Sequence, residues 1–329
     1  GSKELTGEQA FKLHDTYGFP LDLTIEMAQE KGLGVDVEGF GAEMEMQKQA
    51  AKNARKDGSS WEGAEVYEFE NVNAPTVFKG YDNSNLTLDS EILAIVSEGE
   101  VSALISQGEK GIIVTKETPF YAEMGGQEGD TGFIQKNGST ARVTYTKKTG
   151  DGIYLHEVLV EEGEFTDNDK VMLSVDRNNR LAIARNHTAT HILHKALQEV
   201  LGTHVAQAGS LVTNSRLRFD FSHFEAMTQK QLDEVERKVN DVILECMPVT
   251  VRELPIDEAR KLGATAQFGE KYGDVVRVVS IGDYSMEFCG GTHLSNSARC
   301  GLFKLISESG VASGVRRIEA VTGNGVLGY

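Results

Sequence analysis

Two short stretches carry the residue types that bind borderline-soft metals. His187-Thr188-Ala189-Thr190-His191 sets two imidazoles four residues apart, and in a helix that spacing puts them on one face, about one turn apart. Cys289-Gly290-Gly291-Thr292-His293 adds a thiolate and a third imidazole on a tight glycine bend. Three nitrogens and one sulfur suit a tetrahedral ion, so zinc is the first choice. Either half alone is a weak signal; together, with two glycines giving the backbone a reason to turn, they make His187, His191, Cys289 and His293 the candidate ligands. The metallopeptidase pattern HExxH is excluded, because Thr188 stands where that chemistry needs a glutamate base. Four protein ligands describe a closed structural site, whereas hydrolytic zinc keeps a position for water, so both roles stay open. His194 follows one turn later and is left outside the ligand set, either as a neighbour supporting the ligands or as a half-buried helix residue.

The elements that must position these groups follow from periodicity. Leu181, Ile183, Ala184, His187, His191, His194, Leu197 and Leu201 predict a long helix that Gly202 can stop. Leu217, Phe219 and Phe221 alternate with polar residues as in a half-buried strand. A second helix, capped by Thr228, carries the stripe Leu232, Val235, Val239, Val242 and Ile243 and ends by Met247-Pro248. Strands are predicted over 249–253, 275–281, 302–307 and 315–321, with strand-like residues at 284–288 before the cysteine bend. Upstream, short apolar runs at 92–96, 101–105 and 111–115, and an Asn137-Gly138 turn between 133–134 and 143–145, suggest a small barrel. Residues 3–65 read as an all-helical arm, with a bend at Gly18-Phe19-Pro20 and a helical run Phe40, Met44, Gln47, Ala51. The expected fold class is α+β, divided into a helical connecting segment (3–65), a glycine-rich β-barrel (66–175) and a zinc-binding α/β core (176–323).

Length and composition narrow the class. A chain of 329 residues, 40% hydrophobic and 25% charged, is long enough for two or three domains. No uninterrupted apolar stretch is long enough to span a bilayer. Gly1-Ser2 reads as the scar of a cleaved tag with no signal peptide after it, so the expected location is the cytoplasm. Three cysteines suit reduced thiols or metal ligands better than a disulfide framework. A net charge of −17 argues against a protein whose main task is gripping nucleic acid, because phosphate contacts need a basic face. Basic residues nonetheless cluster locally, at Arg177, Arg180 and Arg185, at Arg216 and Arg218, at Lys147 and Lys148, and at Arg316 and Arg317.

Longer motifs join these residues to a known family. Arg185-Asn-His-Thr-Ala-Thr-His191, Gly202-Thr-His-Val-Ala-Gln207-Ala-Gly-Ser210, Leu217-Arg-Phe-Asp-Phe221 and Cys289-Gly-Gly-Thr-His293 resemble the editing domain of alanyl-tRNA synthetase. Pro119-Phe-Tyr-Ala-Glu-Met-Gly-Gly-Gln-Glu-Gly-Asp130 looks like that family's glycine-rich barrel motif, and Phe11-Lys-Leu-His-Asp-Thr-Tyr-Gly-Phe-Pro20 like the connection from its aminoacylation half. The arm favours an excised piece of the synthetase over the stand-alone AlaX editing proteins; the threonyl-tRNA synthetase editing module is a more distant relative.

The resemblance implies hydrolysis of serine or glycine from the 3′-terminal adenosine of tRNA for alanine, with one zinc ion. It also implies the synthetase's aminoacylation and C-terminal domains as partners; the lack of a long apolar stretch implies no membrane. It marks Gln207 as functionally important, and Thr188 and Thr190 join it as hydroxyls able to bond the amino acid or a water. Gly125, Gly126 and Gln127 either form a plain hairpin turn or lie near the tRNA end, and Arg185 and Arg316 are candidate tRNA contacts. Two other readings stay open: a zinc-stabilised tRNA-binding module without catalysis, and an editing factor acting in trans.

Overall fold

The computed structural model describes residues 4–17, 24, 25, 27, 28, 33–37, 39–43, 67, 69, 72–266 and 272–329. The chain divides into two compact units, residues 1–66 and 67–329. In the first, a helix Gly7–Tyr17 follows Thr6, whose hydroxyl accepts a hydrogen bond from the Gln9 backbone N–H (3.3 Å). This arm is not wholly helical. Glu4–Leu5 and Gly34–Val35 pair as a short parallel ladder, which occupies backbone groups that no helix covers. The expected bend at 18–20 and the helical run from Met44 on lie outside the described residues.

In the second unit, six antiparallel strands close into a barrel: β1 (Thr87–Ser97), β2 (Lys110–Thr115), β3 (Gly132–Lys136), β4 (Ser139–Lys148), β5 (Tyr154–Glu162) and β6 (Lys170–Val175). The order β6-β3-β4-β5-β2-β1 returns to β6 because β1 serves two neighbours. Its first half, Thr87–Glu91, pairs with β6 and its second, Ile92–Ser97, with β2. Alternation fills the interior with Ile113, Ile134, Ala141, Val143, Val158, Val160, Val171 and Leu173, all buried. Each larger member contributes about 1.5–3 kcal/mol by leaving water. A register shift between Val143 and Tyr145 in β4 reverses which parity faces inward, so Thr146 rather than Tyr145 is buried. The run expected at 101–105 is two short strands, Glu100–Ser102 and Leu104–Ser106, the second paired with Glu164–Thr166 beside the barrel.

Helix α1 (Arg177–Leu201) starts directly after the barrel. Asp176 caps it by accepting from the backbone N–H groups of Asn178 (2.9 Å) and Asn179 (3.1 Å), and Gly202, at φ 121°, ends it where the sequence predicts. Then follow β7 (Gln207–Val212), β8 (Leu217–Ser222), α2 (Gln229–Leu244), β9 (Val249–Pro255), β10 (Val275–Ile281), β11 (Ser285–Phe288), β12 (Phe303–Ala312) and β13 (Val315–Thr322). They form two antiparallel sheets, β7-β8-β13-β12 and β9-β10-β11. Thr228 caps α2 in a capping box with Gln231. The helix stops at Leu244, short of Met247-Pro248, and Cys246 takes φ 53°, incompatible with continuation. The apolar faces of α1 and α2 (Ile192, Leu193, Leu197, Val235, Val239) meet Phe219, Phe221 and Ile318 from the larger sheet in one core. Helices on antiparallel sheets beside a closed barrel are the α+β arrangement expected. No described helix is long and apolar enough to cross a membrane.

Candidate metal centre and adjoining cleft

One face of α1 presents His187 and His191, and the bend after β11 presents Cys289 and His293. The four candidate ligand atoms lie within 4.8 Å of one another, all on buried residues. Cys289 Sγ stands 3.4 Å from His187 Nε2 and 3.2 Å from His293 Nε2. Zinc bonds of about 2.0–2.3 Å put neighbouring nitrogen and sulfur corners of a tetrahedron roughly 3.5 Å apart, so the donor set fits such an ion in type and spacing.

The outer nitrogens of the three imidazoles point away from this centre, each to a different partner. His187 Nδ1 donates to Gln127 Oε1 (2.7 Å). That oxygen also accepts from the Thr292 backbone N–H (2.9 Å), while Gln127 Nε2 donates to Thr292 Oγ1 (2.8 Å), so the amide has one orientation. His293 Nδ1 lies 3.1 Å from Thr188 Oγ1, which also accepts from the Leu294 N–H. His191 Nδ1 stands 3.2 Å from Glu287 Oε2, an ion-pair distance but off hydrogen-bond alignment. The other Glu287 oxygen lies 2.9 Å from His194 Nδ1. Such partners hold imidazoles with the inner nitrogen free to coordinate.

Burial opposes charge throughout the group, and the neighbours overcome it selectively. The Cys289 thiol is held well below its usual range because His187, His293 and His191 outweigh its burial. Glu287 is likewise kept below the usual carboxyl range, against its burial, by His191 and His194. Burial would lower His191, but Glu287 and then Cys289 lift it to about 9. Burial and then His187 push His293 down to about 3. A thiolate and a neutral imidazole, the states favoured for Cys289 and His293, are the forms that bind a metal, whereas His191 releases its proton when it coordinates.

The bend is shaped from both sides. A Cβ on Gly291 would sit 2.1 Å from His187 Cε1, so only glycine lets the imidazole pack there. Arg277 Nη1 donates to the carbonyls of Cys289 (2.8 Å) and Gly291 (2.7 Å), and its guanidinium lies over the Tyr81 ring at 4.0 Å. Tyr81 donates to Gly290 O (3.0 Å) and Asn83 to His293 O (2.8 Å). This loop is locked to α1 by Arg180, fully buried and bonded to Asp130, Gly80 O and Pro119 O. Arg180 is therefore no part of a surface basic patch.

A cleft of about 620 Å³ opens beside the metal group, with His187, Cys289 and Gly291 in its wall. Gly125 lines it as well, in a tight Met124–Gln127 turn in which Gly125 and Gly126 take φ of 60° and 80°. A Cβ on Gly126 would meet Ser210 O at 2.3 Å, because the turn is laced to β7. Gln127 is fully buried, so its side chain is engaged with His187 and Thr292 rather than presented to a nucleic acid. Thr188 faces His293. Thr190 donates to the Asn186 carbonyl one turn back (2.8 Å), not into the metal group. Gln207 starts β7, half-buried, at the end of the strand away from Val212, where the glycine turn attaches, and it does not line the cleft. Arg185 packs beside Gly323. Arg316 is held bidentate by Glu308 (2.5 and 2.8 Å), which neutralises it.

Sequence reasoning passed over Glu287, Arg277 and the buried role of Gln127. For Glu287 a signal existed: it lies two residues before Cys289 at the end of a strand, hence on the same face. For Gln127 no local pattern points to a histidine 60 residues further on.

Residues 1–179 match the family described as tRNA synthetases class II (A), and residues 276–319 match the threonyl and alanyl tRNA synthetase second additional domain. The alanine–tRNA ligase of Acetivibrio thermocellus is 52% identical over 329 residues, covering 99% of this chain and 37% of that protein. That of Clostridioides difficile is 50% identical over 331 residues, and that of Bacillus subtilis 47% over 325. The chain spans 37% of the length of each of these relatives. With its first 179 residues matching the class II family and residues 276–319, which carry Cys289 and His293, matching the additional domain, the chain belongs to the alanyl-tRNA synthetase family.

Proposed function

We propose that this chain removes serine or glycine from the 3′-terminal adenosine of tRNA for alanine by ester hydrolysis, with one zinc ion held by His187, His191, Cys289 and His293. The observation that carries the reading is the convergence of these four side chains, two of which, His187 and Cys289, line a cleft large enough for an aminoacylated nucleoside. An aminoacyl ester is already activated, so the site need only position the carbonyl, admit a water and exclude competing geometries. Bound zinc would supply a Lewis acid for the ester carbonyl or for water.

The chain's own residues do the rest. Gln127, Thr188 and Glu287 hold the imidazoles, and Arg277 fixes the carbonyls of the bend that bears Cys289. Thr188 thus acts through His293, the Thr190 hydroxyl is bonded to the Asn186 carbonyl, and Gln207 keeps a role that only the family resemblance supports. Serine is preferred to alanine where the pocket bonds a hydroxyl that alanine lacks. The match of residues 1–179 to a synthetase family supports a piece of a cytoplasmic synthetase, with its other domains and tRNA as partners, over a factor acting in trans.

A second reading is favoured by the count of ligands, since four buried protein donors also describe a structural zinc site. Deacylation of matched tRNAs bearing serine, glycine and alanine separates the two. The hydrolase reading expects turnover of the first two, lowered about 100-fold or more by Cys289→Ala. Absence of turnover by the zinc-loaded, folded chain refutes it and leaves the binding module.

A further inference from the structure

In a chain with 50 acidic and 33 basic residues, the cleft beside the metal group is an exception. Among the described residues no aspartate or glutamate lines it, while two cations, Lys148 and Arg277, do. Arg277 is committed to the carbonyls of the bend. Lys148 is not: its Nζ meets only the Met124 sulfur (3.5 Å) and the face of Tyr154 (5.8 Å), with no carboxylate partner among the described residues. Its neighbour gives the contrast. Lys147 projects to the opposite face of β4 and is paired with Glu157 at 2.9 Å. The register shift after Val143 produces this arrangement, because it re-aims the last residues of the strand and turns Lys148 to the cleft side. The other basic clusters are largely neutralised, Arg316 by Glu308, Arg317 by Asp220 and Arg216 by Glu319.

We propose that Lys148 is a phosphate-binding residue, and that the cleft admits the single-stranded 3′ end of tRNA with a terminal phosphodiester against its ammonium. A lysine without a carboxylate partner, in a cleft whose described lining holds no carboxylate, is a point charge for a phosphate, and it releases a counterion when the RNA binds. The lack of carboxylates among the described lining residues suits a polyanion on an otherwise strongly acidic chain. The proposal rests on the hydrolase reading for its choice of ligand but is tested without turnover.

The probe is a labelled RNA hairpin with an unacylated single-stranded CCA 3′ end, titrated into the zinc-loaded chain at several salt concentrations. Lys148→Glu should weaken binding by about tenfold or more, and Lys148→Ala should lower the slope of log affinity against log salt by about one. Lys148→Arg should restore most of the affinity. Lys230→Glu, an equal change of charge on the exposed face of α2, should have little effect. Zinc content and circular dichroism verify that each variant is folded. No binding by the parent chain at low salt, an unchanged Lys148→Glu, or an equal loss in Lys230→Glu overturns the proposal. A parent that binds the hairpin but hydrolyses no seryl ester sinks the hydrolase reading alone.

Discussion

The barrel and the core both bury histidine, and they use it in opposite ways. His156, on β5, is fully buried with both ring nitrogens used: Nδ1 donates to the Ile113 carbonyl (2.8 Å) and Nε2 accepts from the Thr118 hydroxyl (2.7 Å). In the core, His187, His191 and His293 each face an outer partner through Nδ1, and the group converges on Cys289. Burial alone therefore does not mark a site. What marks it is a set of buried imidazoles that share one centre, with the outer nitrogens of His187 and His293 hydrogen-bonded and that of His191 facing Glu287.

The strongest way to break this contrast is to move one inner nitrogen. Gly291→Ala would drive a methyl group into His187. Zinc affinity should fall by about 100-fold or more, as measured by competition with a chromophoric chelator, and a variant that keeps parental affinity would show that the bend gives way without moving the His187 nitrogen. Gln127→Ala removes an outer partner instead. It frees His187 and strands the Thr292 N–H, so zinc affinity should drop about 10–100-fold, with about 1–3 kcal/mol of lost stability from the unsatisfied donor. Unchanged affinity would reduce Gln127 to a packing residue.

The barrel arm of the comparison is sharpened by pH. Burial lowers His156 from 6.5 to about 4, overriding the hydrogen bond to Ile113. The folded state thus binds fewer protons than the unfolded chain between these values. The stability that neutral His156 retains is present above pH 6.5 and is lost as pH falls toward 4, by on the order of 3 kcal/mol in all. Urea unfolding followed across this window should show the loss, and His156→Gln should flatten it. An equally steep profile in the variant would assign the dependence to other groups.

Much of the machinery is legible locally. The His187/His191 spacing sets one helix face whatever surrounds it, Thr228 and Gly202 punctuate the helices as their chemistry dictates, and the alternation in β8 appears as expected. These features depend on neighbours within a few residues, so a linear chain contains them. Barrel closure does not belong to that class, because the pairing of Thr87–Glu91 with Lys170–Ser174 is a choice among many possible partners. Gln127 reads as a turn residue until the turn is laced to β7 and its side chain is delivered to His187. The divergence of Lys147 and Lys148 into a paired and an unpaired cation likewise waits on the register shift in β4 and on the position of Glu157. By itself the order of residues determines periods, caps and donor types. Which donors meet, and which charges stay uncompensated, is decided only when distant segments pack, because side-chain partnership is a property of distance in space.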